Sequence, residues 1–133
     1  MSQDKFDPTK SDFNYEGNDL KIASKIGIPN LPQDGVVLLM EGDLNLYSTP
    51  ALKNILNALV DAGKLKIFIN TEHLAYIDSS GLGAILSIQS RLMKMNGYVK
   101  ICAPSKQVLA VLELTKLKTM LKVSNSLEDA LKY

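Results

Sequence analysis

Residues 36–69 read VVLLMEGDLNLYSTPALKNILNALVDAGKLKIFI. Val36 to Met40 is a continuous apolar run of strand length, the pattern of a strand covered on both faces. Gly42-Asp43-Leu44-Asn45-Leu46-Tyr47 is a turn-rich link. Ser48-Thr49-Pro50 then offers an N-cap hydroxyl followed by proline in the first helical position. Ala51, Leu52, Ile55, Leu56, Leu59 and Val60 recur at steps of three and four, which predicts an amphipathic helix ended by Gly63. Leu65 to Ile69 is a second short apolar strand. A strand, a helix and a strand joined this closely predict a right-handed βαβ unit.

The same alternation continues toward the C-terminus. Gly81 to Met95 carries Leu82, Ile85, Leu86, Leu92 and Met93 on one helical face, and Tyr98 to Cys102 is a third apolar strand. Pro104 opens a helix with Val108, Val111 and Leu112 inward. A last helix, 125–132, is expected to begin at Asn125 with Glu128 three residues on, a capping-box spacing. On the N-terminal side, Leu20, Ile22, Ser24 and Ile26 alternate with Lys21, Ala23 and Lys25, the period of a half-exposed strand, here expected to run antiparallel. Gly27 to Gly35, with Pro29 and Pro32, separates it from Val36. The expectation is an α/β fold, one domain over 20–133, with a mixed, mostly parallel sheet of about four or five strands. Loops leaving the carboxyl ends of parallel strands share one edge, where ligands and partners bind, so loop 42–48 and loop 71–80 should meet.

Residues 1–19 contain five acids (Asp4, Asp7, Asp12, Glu16, Asp19), two lysines (Lys5, Lys10) and, beyond Met1, only Phe6, Phe13 and Tyr15 as large apolar side chains. That composition predicts an acidic, disordered tail. The whole chain, 133 residues, carries a formal charge of +1, too little for sequence-independent nucleic-acid or membrane binding. One Cys and one His build neither a disulfide framework nor a Cys/His metal site. No aliphatic run approaches the roughly 20 residues of a spanning helix, and Met1 to Asp7 lacks a secretory signal, so a cytoplasmic location is expected.

The residues with most chemical interest are Asp78-Ser79-Ser80-Gly81-Leu82-Gly83, where two hydroxyls stand at a helix start. Free backbone N–H groups and the helix dipole favour an anion there, so a phosphoserine would be tolerated. Asp78, Ser79 and Ser80 serve equally well as N-capping residues, with the glycines easing helix packing. Neither serine sits in a Gly-x-Ser-x-Gly elbow, which disfavours a hydrolase. Gly81-x-Gly83 lacks the third glycine and the lysine of nucleotide loops. His73 reads as a surface imidazole, Cys102 as a buried inert thiol, Met93 and Met95 as helix packing, and Lys116, Lys118 and Lys122 as a solvated basic face.

Glu41-Gly42-Asp43-Leu44-Asn45 followed by Asp78-Ser79-Ser80-Gly81-Leu82-Gly83 resembles the STAS domains of bacterial anti-sigma factor antagonists. Val108-x-x-Val111-Leu112-x-Leu114-Thr115 and residues 124–131 are similar to that family's ending, so the resemblance covers 20–133. It implies a sheet with helices largely on one face and no enzymatic activity or cofactor. It also implies a partner switch. The unphosphorylated protein binds an anti-sigma factor that is an ATPase-like serine kinase, the kinase phosphorylates the serine after the Asp, here Ser79 in preference to Ser80, and a serine phosphatase reverses this. The implied docking surface is Asp43, Asn45, Tyr47, Asp78, Ser79, Ser80, Gly81 and Leu82, with Asn45 beside Ser79 and Ser79 outside the first helical turn. The family's Gly-Glu-Leu-Asp loop reads Gly42-Asp43-Leu44-Asn45 here, and Lys116 stands where glycine is common. Two other readings stay open: a STAS-type subunit of a larger signalling or lipid-transport assembly without a serine switch, and a nucleotide-binding or weakly hydrolytic domain.

Overall fold

The computed structural model describes residues 13–132. In chain order the elements are β1 (Asn14–Glu16), β2 (Leu20–Lys25), β3 (Gly35–Leu44), α1 (Thr49–Asp61), β4 (Lys66–Ile77), α2 (Ser79–Met93), β5 (Tyr98–Cys102), α3 (Lys106–Leu114), β6 (Lys122–Ser124) and α4 (Leu127–Lys132). The strands form one six-stranded sheet in the order β1-β2-β3-β4-β5-β6. β1 and β2, and β2 and β3, pair antiparallel, while β3 to β6 are parallel. The mixed, mostly parallel α/β sheet is as expected from the apolar runs, with six strands in place of four or five.

Strand alternation divides the core. Leu20, Ile22, Val36, Leu38, Met40, Ile67, Ile69, Val99 and Ile101 face α1, α2 and α3, which bury Leu52, Leu56, Leu59, Leu82, Ile85, Leu92, Val108 and Leu112 against them. The opposite face carries Val37, Phe68 and Cys102 and is covered by Ala130, Leu127 and Leu131 of α4 together with Ile28 and Leu31. Buried Lys100 ties α4 down by donating to the Ala130 carbonyl at 2.9 Å. Its pKa is lowered, first by burial and then by Lys122.

The structure corrects the expected tail. Residues 14–16 pair with Lys21–Ala23 of β2, and Phe13 is buried in the main core, so the domain reaches back at least to Phe13. A three-residue edge strand is too short to show an alternation, and its one acid, Glu16, faces solvent. Residues 1–12 of that stretch lie outside the described residues.

β4 also runs eight residues past Ile69, through most of the expected loop 71–80. Two register shifts against β3, at Leu39/Glu41 and Gly42/Asp43, mark extra residues in β4. Bulges break the two-residue period, so Thr71, Leu74 and Ile77 are buried at intervals of three, which reads as loop in sequence. Met93 is exposed rather than inward. The last helix is capped by Ser126, whose hydroxyl accepts from the Asp129 amide at 3.0 Å, and not by Asn125.

Candidate functional site

The site forms where β3 and β4 end. Leu44 closes β3, and its carbonyl accepts the Asp78 amide at 3.1 Å, which fastens the start of α2 to the β3–α1 loop. Gly81 makes this approach feasible: a Cβ there would lie 2.6 Å from Leu44 Cγ. At Gly83 the same Cβ would meet nothing within 4 Å, so only the first glycine has the packing role expected of both.

Asp78 is the N-cap of α2, in extended conformation, and its Oδ1 accepts the amides of Ser80 at 3.0 Å and Gly81 at 3.2 Å. Ser80 Oγ also donates to Asp78 Oδ1 and lies 3.3 Å from Thr49 Oγ1, at the start of α1. These contacts hold the Asp78 carboxyl below its ordinary range. The Ser80 hydroxyl is the largest cause, burial opposes it, and the amides of Gly81, Ser80 and Leu46 reinforce it. Asp78 is therefore a fixed anion.

Ser79 is the first residue of α2, not outside its first turn, because the capping conformation belongs to Asp78. Its side chain is exposed, and among the described residues its hydroxyl has no hydrogen-bond partner. Ser80 is half-buried, and it is committed to Asp78 and Thr49 through its side chain rather than as a cap. The two adjacent hydroxyls thus differ in availability, for reasons that follow from the cap geometry.

The β3–α1 loop is built by Asn45 and Ser48. Asn45 Oδ1 accepts the amides of Tyr47 at 2.8 Å and Ser48 at 3.1 Å. Ser48 Oγ accepts the Asn45 amide at 2.9 Å and donates to the Asp43 carbonyl at 2.8 Å. Ser48 consequently makes no side-chain cap on α1, contrary to the expectation for Ser48-Thr49-Pro50. Asn45 Nδ2 donates to Asp19 Oδ2 at 3.2 Å, so the amide bonds to the β1–β2 turn and its own loop rather than to Ser79.

The same sheet edge presents large apolar side chains to solvent: Leu46 is 65%, Tyr47 84% and Tyr76 50% exposed. Of these, only Tyr47 was singled out in sequence. Leu46 and Tyr76 adjoin the motif but carry no signal until the bulges fix which way they face. Thr49 and Asp19 were likewise missed, since their contacts to Ser80 and Asn45 join segments 31 and 26 residues apart. Leu82 is buried under the helix start and does not present its side chain to a partner. Asp43 is half-buried at the end of β3, in register with Tyr76.

The other candidates fall away from this edge. His73 is exposed and borders an open cavity of about 560 Å³ with Asn14, Glu16, Lys21 and Glu41 on the sheet face that α4 leaves bare. Cys102 is fully buried, and burial pushes its thiol up to about 12. Lys118 pairs with Glu113, and Lys122 lies 5.5 Å from the Tyr98 ring centroid. Among the described residues no group of three or more His, Cys, Asp or Glu side chains could hold a metal ion. No helix among them is long and apolar enough to cross a membrane.

The chain is 29% identical over 87 residues to the anti-sigma-B factor antagonist of Staphylococcus aureus, covering 65% of this chain and 81% of that one. Its fold is similar to the anti-sigma factor antagonist SpoIIAA in its unphosphorylated form, with a TM-score of 0.66 at 23% identity, covering 81% of this chain and 92% of that one. The phosphorylated form of SpoIIAA, the Bacillus cell fate determinant, gives a TM-score of 0.61 at 22% identity over 83% of this chain and 97% of that one. The STAS domain family matches residues 27–130, from the segment before β3 to α4, and the chain belongs to that family.

Proposed function

We propose that this chain is an anti-sigma factor antagonist, a binding module that engages an anti-sigma factor with an ATPase-like serine kinase domain and is released when Ser79 is phosphorylated. The observation that carries the reading is the exposed Ser79 hydroxyl at the start of α2, without a hydrogen-bond partner among the described residues and next to the fixed Asp78 anion, on the sheet edge whose loop ends also expose Leu46, Tyr47 and Tyr76. The relative named as an anti-sigma-B factor antagonist supports it, as does a fold shared with SpoIIAA in both phosphorylation states.

The physical chemistry is direct. With Ser79 unmodified, a partner that covers the exposed apolar side chains meets no charge beyond that of Asp78, which the Ser80 and Gly81 amides already satisfy. Phosphate adds about −1.5 to −2 charges next to Asp78, and the amide-rich helix start accommodates it without unfolding α2. The same dianion at the centre of an interface must be desolvated against a neighbouring carboxylate, which costs more than a small contact area supplies. Release therefore needs little change of fold, and a serine phosphatase restores the docking surface.

The test is the affinity of the unphosphorylated and Ser79-phosphorylated protein for the purified anti-sigma factor kinase of the source organism. The expected result is binding weakened at least about tenfold by the phosphate, roughly 1.4 kcal/mol. Equal affinities, or no binding by either form, would overturn the proposal.

A further inference from the structure

The β1–β2 turn, residues 17–19, belongs by sequence to the stretch that reads as tail, yet two hydrogen bonds fasten it to the end of β3 and to the β3–α1 loop. The Asp19 carbonyl accepts the Asp43 amide at 2.8 Å. The Asp19 carboxylate accepts Asn45 Nδ2 at 3.2 Å. Gly42 has φ +110°, and a Cβ there would run into the Asp19 carbonyl, so the close approach itself depends on glycine at 42. A small cavity of about 170 Å³ is lined by residues 17–19 of the turn together with Tyr47 and Ser48.

Asn45 works in two directions at once. Its oxygen holds the amides of Tyr47 and Ser48, and its nitrogen reaches Asp19. Only an amide can do both, because a carboxylate at this position accepts from the loop but has no proton to give Asp19. From this geometry we infer that Asp19 and Asn45 are a matched pair of positioning residues: the β1–β2 turn sets the loop that carries Leu46 and Tyr47 on the same sheet edge as Ser79, and the Asp19 carboxylate is what requires an amide at 45.

The amide in place of the family's acid is thereby explained within this chain. Asn45→Asp sets two carboxylates about 3 Å apart, a repulsive contact that Asp19 relieves by swinging into solvent. The loop keeps its internal turn and loses its outside support. Exposed contacts of this kind contribute little to global stability, so the effect belongs to loop position rather than to the melting temperature.

The inference rests on the proposed function only in its second readout. The first is amide hydrogen exchange of Tyr47 and Ser48 in three proteins: Asp19→Ala, Asn45→Asp, and Asp19→Asn combined with Asn45→Asp, which rebuilds the bond with donor and acceptor exchanged. Each single change should raise exchange at these amides about threefold, and the reversed pair should return it to within about twofold of the native chain. The second readout is Ser79 phosphorylation by the anti-sigma factor kinase, where the single changes should raise KM with kcat unaltered and the reversed pair should restore KM. Silent single variants, or a reversed pair no better than the worse of them, overturn the inference. A native chain that the kinase does not phosphorylate overturns the proposed function, while the exchange data still decide whether the pair positions the loop.

Discussion

Gly81 and Gly83 lie two residues apart in the same helix and should respond to alanine with opposite signs. At Gly81 the added Cβ meets Leu44 Cγ at 2.6 Å, Leu44 Cδ2 at 2.7 Å and Ile77 Cγ1 at 3.3 Å. Leu44 is fully buried at the end of β3, so its branch point cannot retreat without moving the strand end or the helix. Overpacking of this kind costs about 1–3 kcal/mol, against which alanine returns about 0.8–1 kcal/mol of helix propensity. The net loss is about 0–2 kcal/mol. At Gly83 nothing lies within 4 Å, so the propensity gain stands alone and the variant should be more stable by about 0.8–1 kcal/mol. For a chain of this length 1 kcal/mol moves Tm by about 3–5 °C, so the two variants should bracket the native midpoint. Thermal and urea unfolding, read by circular dichroism, make the comparison. Gly83 is also one turn beyond Ser79 on the exposed side, so its alanine variant should bind the anti-sigma factor several-fold more weakly while melting higher. Two variants that stabilise equally would refute the packing argument at Leu44.

Three further outcomes follow from named contacts. Asp78→Asn should be less stable than the native chain at neutral pH, since the carboxylate cap is stabilised in the fold. Because the folded pKa is lowered below 3.8, that advantage is present above this value and is lost as pH falls through the folded pKa, so urea midpoints of the two proteins should converge in acid. A chain beginning at Leu20 should be less stable by about 2–3 kcal/mol than one beginning at Phe13, which loses no buried aromatic; equal midpoints would return residues 13–19 to a tail. Lys116 holds φ at 62°, where a side chain is strained, and Lys116→Gly should raise stability by roughly 0.5–1 kcal/mol in the same assay.

What the sequence made legible were the elements whose side chains answer to one period. Leu20 to Ile26, Val36 to Met40 and Tyr98 to Cys102 alternate or run apolar because a sheet face must be covered, and α1 shows its stripe because it packs one side only. The candidate site was visible as Asp78-Ser79-Ser80-Gly81 because cap chemistry is local. What escaped notice depends on distant partners. The β4 bulges are defined only against β3, and β1 is a strand only because β2 offers it an edge. Ser48 looks like a cap until its hydroxyl is seen bonded to Asp43 and Asn45. The contact of Ser80 with Thr49, 31 residues away, likewise has no local signal.

The central claim, that Ser79 is the switch, is tested most directly by phosphopeptide mapping after incubation of the native chain, Ser79→Ala and Ser80→Ala with the anti-sigma factor kinase and Mg-ATP. The account predicts one phosphate, on Ser79, in the native chain and in Ser80→Ala, and none in Ser79→Ala. Phosphate on Ser80, or full phosphorylation of Ser79→Ala, would contradict it.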